Sequence, residues 1–387
     1  MLLFFTGLVL FSLFLYVYLT GASTSLRLSM MIGFFIRLLF IFLASPQSNY
    51  DLQSYGIVGS MTAQHLSIYP EVALNHFPYL PLFLYIEAFT SIAKPFDILL
   101  LKLIIITFDT GIIYLIYKLS RKKITALVYA LCPVSILISS VQGQFDAIPL
   151  FFLLIALFYI VKKRVALAGL LYSLAIALKT WPVFLIILTL RQLRGKGAWT
   201  KRGTFLFLSV FISSFALVFY SIAFKTPLAE IIFVIRTYQP VFGVYGVGFL
   251  LKTFFQRTDL YLIGMSIKIF LMALLAYSLL QKNKDLLSGC LGVLLFFFVF
   301  TPVFGIQWLV WSVPFLLILK PRGALLLIVT MSFFLLLNYL NWEVVIDRNI
   351  LLGSDLVVWA GFVYVFIAYT LPISVSSNVP SASKTAR

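Results

Sequence analysis

Residues 79–93 read YLPLFLYIEAFTSIA, and whether they cross the membrane decides the layout of everything after them. The stretch is apolar enough to pass for a crossing, but if it spanned, every later basic cluster would change face. With Arg27 before them, those clusters are Lys118 to Lys123, Lys162 to Arg164, Arg191 to Arg202, Lys282 with Lys284, Lys320 with Arg322, and Lys384 with Arg387. Together they hold 19 of the 29 cations, with only Asp285 among the acids. Loops rich in Lys and Arg stay on the cytoplasmic side, so the clusters belong together there. Residues 79–93 are then an amphipathic helix lying in the outer interface, with Pro81 in its first turn, where a missing N–H is harmless.

The rest of the chain reads as helices in lipid. Of 387 residues, 62% are hydrophobic and 11% charged, and the mean hydropathy is +1.08. Apolar runs of about 15 to 23 residues recur, close to the length that crosses a ~30 Å hydrocarbon core. The alternating strands of a barrel are missing, and in lipid only helices otherwise satisfy the backbone. The expectation is an all-α, polytopic transmembrane protein of about 11–13 membrane helices. It forms one transmembrane domain over residues 1–372, with a large first outer loop at 46–97 that carries interfacial helices. Both flanks of 165–190 are basic, so this segment enters and leaves by the same face. Its two short pieces turn at Lys179-Thr180-Trp181-Pro182, where proline ends the preceding helix. Residues 1–20 lack the basic start and cleavage site of a signal peptide and are expected to remain as a helix. The Ser/Ala/Pro-rich tail, 373–387, is expected to be disordered and cytoplasmic.

The net charge of +17 is scattered between apolar segments, so it reflects membrane orientation and does not call for a nucleic-acid partner. Cys132 and Cys290 lie in apolar runs and suggest no disulfide framework. There is no Gly-rich nucleotide loop, no His-Glu-x-x-His metal spacing and no Gly-x-Ser-x-Gly elbow.

Polar residues gather instead on the outer face. The first outer loop holds both histidines, His65 and His76, together with Asp51, Glu71 and Glu87. Asp51 follows the outer end of a membrane helix. A carboxylate there is partly desolvated yet ionisable, as a general base must be; the plain alternative is a solvated flanking residue. Gln142-Gly143-Gln144-Phe145-Asp146 forms an outer turn whose side chains suit sugar hydroxyls, while Asp146 also sits where it would cap helix 147–161. Lys179, Arg236, Lys252 and Arg257 are cations on the outer face, against the general trend. A cation there stabilises charge on a lipid phosphate or simply meets headgroups. Arg37 and Asp109 fall at similar mid-bilayer depth, where charges persist only when paired or in a cavity, and are expected to form a structural pair. Lys268 is a third intramembrane charge with no evident partner. Gln307, Trp308, Trp311 and Pro314 form either an interfacial aromatic belt or a stacking wall for a sugar.

The order of these elements resembles the GT-C superfamily of membrane glycosyltransferases, in particular the polyprenol-phosphate-mannose-dependent mannosyltransferases. The resemblance runs from Arg37 to about Pro314. It rests on Asp51 with Tyr55, on Tyr69-Pro70, and on Tyr79-Leu80-Pro81-Leu82 at the start of an interfacial helix. It continues with Gly143, Gln144 and Asp146 opening a helix, with Lys179 and Pro182, and with Gln307, Trp308, Trp311 and Pro314. It implies an inverting transfer of a hexose, mannose by this likeness, from a polyprenyl-phosphate donor to a hydroxyl acceptor at the outer face. The acceptor is a glycan, a glycolipid or a protein. Asp51 would be the catalytic base, Lys179 and Arg236 would hold the donor phosphate, and Tyr55, His76, Tyr79, Gln144, Asp146, Gln307 and Trp308 would line the sugar and acceptor site. Position 53 is Gln, so the chain has no Asp-x-Asp pair, and no divalent metal or other cofactor is assigned. A transporter or flippase of lipid-linked sugars is the alternative from another class; it would carry structural repeats with charges along a midplane path, whereas the sequence shows no repeat and its polar groups gather at one face. A polysaccharide polymerase or ligase would place its key residues in later outer loops.

Overall fold

The computed structural model describes residues 2–44, 50–238, 241–256, 260–281, 284–341 and 344–371. The 373–387 tail, Arg257 and the start of the first outer loop, residues 46–49, lie outside them. The protein is an all-α polytopic fold, and the strands among the described residues are two short ones, Val241–Phe242 and Val303–Phe304, paired antiparallel. Among the described residues, six helices are long and apolar enough to cross a membrane: Leu2–Thr20, Leu26–Leu43, Asp97–Ser120, Ala198–Ala223, Tyr261–Leu280 and Arg348–Thr370. Lys123–Ala130 and Pro133–Gln142 meet at 45°, as a broken span or a re-entrant loop. Eight further apolar helices have only 10–17 residues. These shorter helices fall below the ~20 residues a straight crossing takes, in keeping with an expectation that included short members. Residues 79–93 form such a short helix, Leu82–Ser91, with Pro81 at its N-cap.

Helix ends follow local chemistry. Ser25 accepts from Leu28 N at 3.2 Å, and Asp285 accepts from Ser288 N at 3.1 Å. Each satisfies an N–H that the first turn leaves open. Asp146 does not do the same for helix Ala147–Val161: its carboxylate makes no cap hydrogen bond. The capping expected there is replaced by tertiary partners.

The core is centred on residues 125–150, all of which are buried. Helices Leu26–Leu43 and Asp97–Ser120 pack around this segment, and Ala147–Val161, which continues it, packs back on Asp97–Ser120. Here Arg37 Nε donates to Asp109 Oδ2 at 2.7 Å, both side chains being fully buried. Asp109 also accepts from the hydroxyls of Tyr129, Ser135 and Ser139 at 2.6, 2.7 and 2.8 Å. The Arg37 guanidinium further reaches the Gly33 and Ala130 carbonyls at 3.0 and 3.1 Å. Every charged atom therefore has a partner, as burial demands. Cys132 and Cys290 are buried, free thiols.

Candidate active site

A broken helix delivers the central side chains. Pro133 has no N–H to continue the helix before it, and the chain restarts and widens into a π-helical turn, Leu137–Gln142. Such turns often mark functional sites. Gly143 then turns the chain back with φ +71°. A Cβ at this position would lie 2.8 Å from Leu52 Cδ2 and 3.0 Å from Lys102 Cε, so the turn requires glycine on both counts. Buried Lys102 donates to the Val141 carbonyl at 3.1 Å and braces the turn from behind.

Past the turn, Gln144 links the first outer loop to the bundle. Tyr55 Oη donates to Gln144 Oε1 at 3.0 Å, and Gln144 Nε2 donates to Asp51 Oδ2 at 2.5 Å. Asp51 and Tyr55 lie one turn apart on helix Tyr50–Ala63, so a single amide reads both. Burial is the main influence on the Asp51 carboxyl and raises its pKa. The Lys179 charge and the Gln144 hydrogen bond oppose that rise, and the nearby Asp146 charge adds to it.

Asp146 is the hub of a second group. Lys179 Nζ donates to its Oδ2 at 2.5 Å, and Trp311 Nε1 donates to its Oδ1 at 2.7 Å. Lys179 lies where helix Val165–Leu178 ends, at the predicted break before Pro182. Its ammonium sits 4.4 Å from the Phe145 ring centre and 5.2 Å from that of Tyr79, a cation–π arrangement. Trp181 and Trp311 stack 4.5 Å apart, and Trp308 stacks on Trp311 at 5.3 Å.

Two cavities meet here. One, of about 260 Å³, is mostly aromatic and apolar; Tyr79, Lys179, Trp181, Trp308 and Trp311 line it. The other, of about 510 Å³, has mixed polar and apolar walls, and Asp51, Gln142, Gln307, Asn338, Arg348 and Asp355 are its more polar members. Tyr238 lines both.

The structure brings Asp51, Tyr55, Gln144, Asp146, Lys179 and Tyr79 into one connected neighbourhood. Gln307 and Trp308 are adjacent in sequence but face different cavities. His76 is half-buried beside the site, where its Nδ1 is 2.8 Å from Ser54 Oγ and its ring stacks on Tyr50 at 5.6 Å. It lines neither cavity. Arg236 is exposed on helix Leu228–Thr237, between the lining residues Ile235 and Tyr238. Sequence reasoning gave Tyr238 no role in the site, named Gln142 and Phe145 only as members of their turn, and left Trp311 between an interfacial belt and a stacking wall. Gln142 and Phe145 stood in the quoted turn, so position alone could have added them. Among the described residues no group of three His, Cys, Asp or Glu side chains stands together as a metal site.

No curated protein matches the chain in sequence. Residues 77–226, less than half of the chain, match the model of glycosyltransferase family 87; the matched stretch contains Tyr79, Gln144, Asp146 and Lys179 and stops short of Asp51 and Trp311. With the polytopic helical fold, that similarity supports a membrane glycosyltransferase.

Proposed function

We propose that the protein transfers a hexose, mannose in the first instance, from a polyprenyl-phosphate donor to a hydroxyl acceptor at the extracytoplasmic or lumenal face. Asp51 is the base. It takes the acceptor hydroxyl proton as that oxygen attacks the anomeric carbon, the bond from carbon to the phosphate oxygen breaks, and polyprenyl phosphate leaves with inverted configuration at the sugar. Phosphate is already a good leaving group, so positioning and one base are sufficient.

The observation that carries this reading is the placement of Asp51. It is half-buried, held by Gln144, raised in pKa, and set in the wall of a cavity that meets a second, Lys179-bearing cavity at Tyr238. A base needs such a raised pKa to hold a proton in the transition state. Lys179 gives one hydrogen bond to Asp146; an ammonium has three N–H donors, which leaves it able to meet a phosphate oxygen. Arg236, beside Ile235 and Tyr238, is the second phosphate ligand in this scheme. The apolar cavity suits the first carbons of a polyprenyl chain, and the Trp308 and Trp311 faces suit a sugar ring.

The test is transfer from radiolabelled polyprenyl-phosphate mannose into membrane extract, by the unaltered protein and by Asp51→Asn at equal folded amounts. General-base catalysis contributes ~10²–10⁴-fold, so the variant should lose at least ~10²-fold of the rate. Transfer at the full rate by Asp51→Asn would remove Asp51 from the mechanism. No transfer by the unaltered protein, with glucose and arabinose donors also inert, would remove the lipid-phosphate donor.

A further inference from the structure

The larger cavity has walls that no sequence motif marked and that lie outside the family match. Arg348, Leu351, Leu352 and Asp355 recur along helix Arg348–Thr370 at the three- and four-residue steps that share one helix face, and all four line the cavity. Asp355 is half-buried two turns into a helix that otherwise counts as a membrane crossing, where a carboxylate is costly unless it serves something; Arg348 is exposed at the first position of the same helix. Neither makes an ion pair or a side-chain hydrogen bond among the described residues. Asn338 comes from the helix before; its Nδ2 is spent on the Phe334 carbonyl at 2.9 Å, which leaves its Oδ1 as an acceptor. Gln307 also lines it. Asp51 stands in the same wall.

We propose that this cavity is the acceptor subsite and that it takes a hydroxyl-rich saccharide, with Asp355, Asn338 and Gln307 bonding its hydroxyls and Arg348 at its mouth. The inference rests on the transferase reading above. Three observations support it. The volume of about 510 Å³ lies within the ~300–1,000 Å³ of small-molecule sites. The polar groups are amides and ions rather than the aromatic wall of the neighbouring cavity, so the two cavities favour different ligands. Asp51 reaches this cavity and is absent from the lining of the aromatic one, so a hydroxyl bound here meets the base directly.

The experiment measures binding of mannobiose and maltose, and of an octyl mannobioside, to the full-length protein in lipid nanodiscs by saturation-transfer NMR. It compares the unaltered protein with Asp355→Asn, Asn338→Leu and Phe184→Leu, the last lining only the aromatic cavity, and a melting curve for each variant confirms folding. At least one of the free sugars or the glycoside binds, and Asp355→Asn and Asn338→Leu each weaken that binding about tenfold, the scale of one or two lost hydrogen bonds; Phe184→Leu leaves it unchanged. Equal binding of free and octyl sugars points to a soluble or polymeric acceptor, and binding of the octyl form alone to a lipid-borne one; both keep the subsite. Binding that ignores Asp355 and Asn338, follows Phe184, or is absent for every sugar overturns it. The two readings fail separately. Saccharide binding through these residues without any transfer from a polyprenyl-phosphate sugar sinks the donor assignment alone. Asp51-dependent transfer with binding indifferent to Asp355 and Asn338 sinks the subsite alone.

Discussion

Removing either member of the Arg37–Asp109 pair should destabilise the fold, but unequally. Breaking a fully buried ion pair costs ~3–5 kcal/mol, because the survivor is left as an uncompensated charge. The survivors here differ. After Arg37→Met, Asp109 keeps three hydroxyl donors, from Tyr129, Ser135 and Ser139. After Asp109→Leu, Arg37 keeps the Gly33 and Ala130 carbonyls and Ser135, but a guanidinium cannot discard its charge. Asp109→Leu should therefore lie at the upper end of the ~3–5 kcal/mol range and Arg37→Met at or below the lower end. The double variant should cost less than the two singles together, with a coupling of ~1–3 kcal/mol. The assay is SDS-titrated unfolding of purified protein in mixed micelles, followed by tryptophan fluorescence, for the four proteins of the cycle. Additive losses, or an Asp109→Leu protein as stable as the parent while Arg37→Met is not, would refute the argument that the two charges answer each other.

Three further outcomes follow from the site. Gln144→Leu removes the hydrogen bond that holds the Asp51 pKa down; the acid limb of transfer activity should move to higher pH, and an unmoved limb would detach Gln144 from the base. Gly143→Ala combines a left-handed φ of +71° with the contacts to Leu52 and Lys102, a strain of ~1–3 kcal/mol; it should cut kcat about tenfold or more at equal folded amounts, and an unchanged kcat would show that the turn does not set the Gln144 position. Glu87 is buried with both carboxylate oxygens unpartnered, and its pKa is pushed well above the usual carboxylate range. The unfolded chain ionises near pH 4.5, so stability relative to Glu87→Gln is fully kept below that pH and lost as pH rises through the folded value. Melting curves should show Glu87→Gln gaining on the parent between acid and neutral pH, and a constant difference would mean Glu87 is charged in the fold.

What the sequence made legible was what depends on local pattern. Helix type, the short helix within 79–93, the break at Lys179–Pro182 and the turn at 142–146 all follow from hydropathy, glycine and proline. Asp51 stood out because an acid just past a membrane helix is unusual. Misreadings came from contacts between segments far apart in the chain. Asp146 looked like a helix cap because its neighbours in sequence offered nothing better, whereas Lys179 and Trp311 claim its carboxylate. Arg348 and Asp355 went unread because no short motif announces a helix face that turns out to line a cavity. The division of Gln307 from Trp308 between two cavities depends on the fold alone.

The Asp146 hub also sets a timetable. Its partners at 179 and 311 leave the ribosome at very different moments, and translation runs at ~5–20 residues per second. Lys179 arrives within seconds and can neutralise the acid while the nascent helices are still being inserted. Trp311, with the far wall of both cavities, follows about 7–26 seconds later on the same scale. Until then Asp51, Gln144 and Lys179 exist without the cavity walls that the later helices supply. A chain whose synthesis stalls before residue 311 is therefore an inserted membrane protein with its charges already paired, yet without a finished place for a substrate.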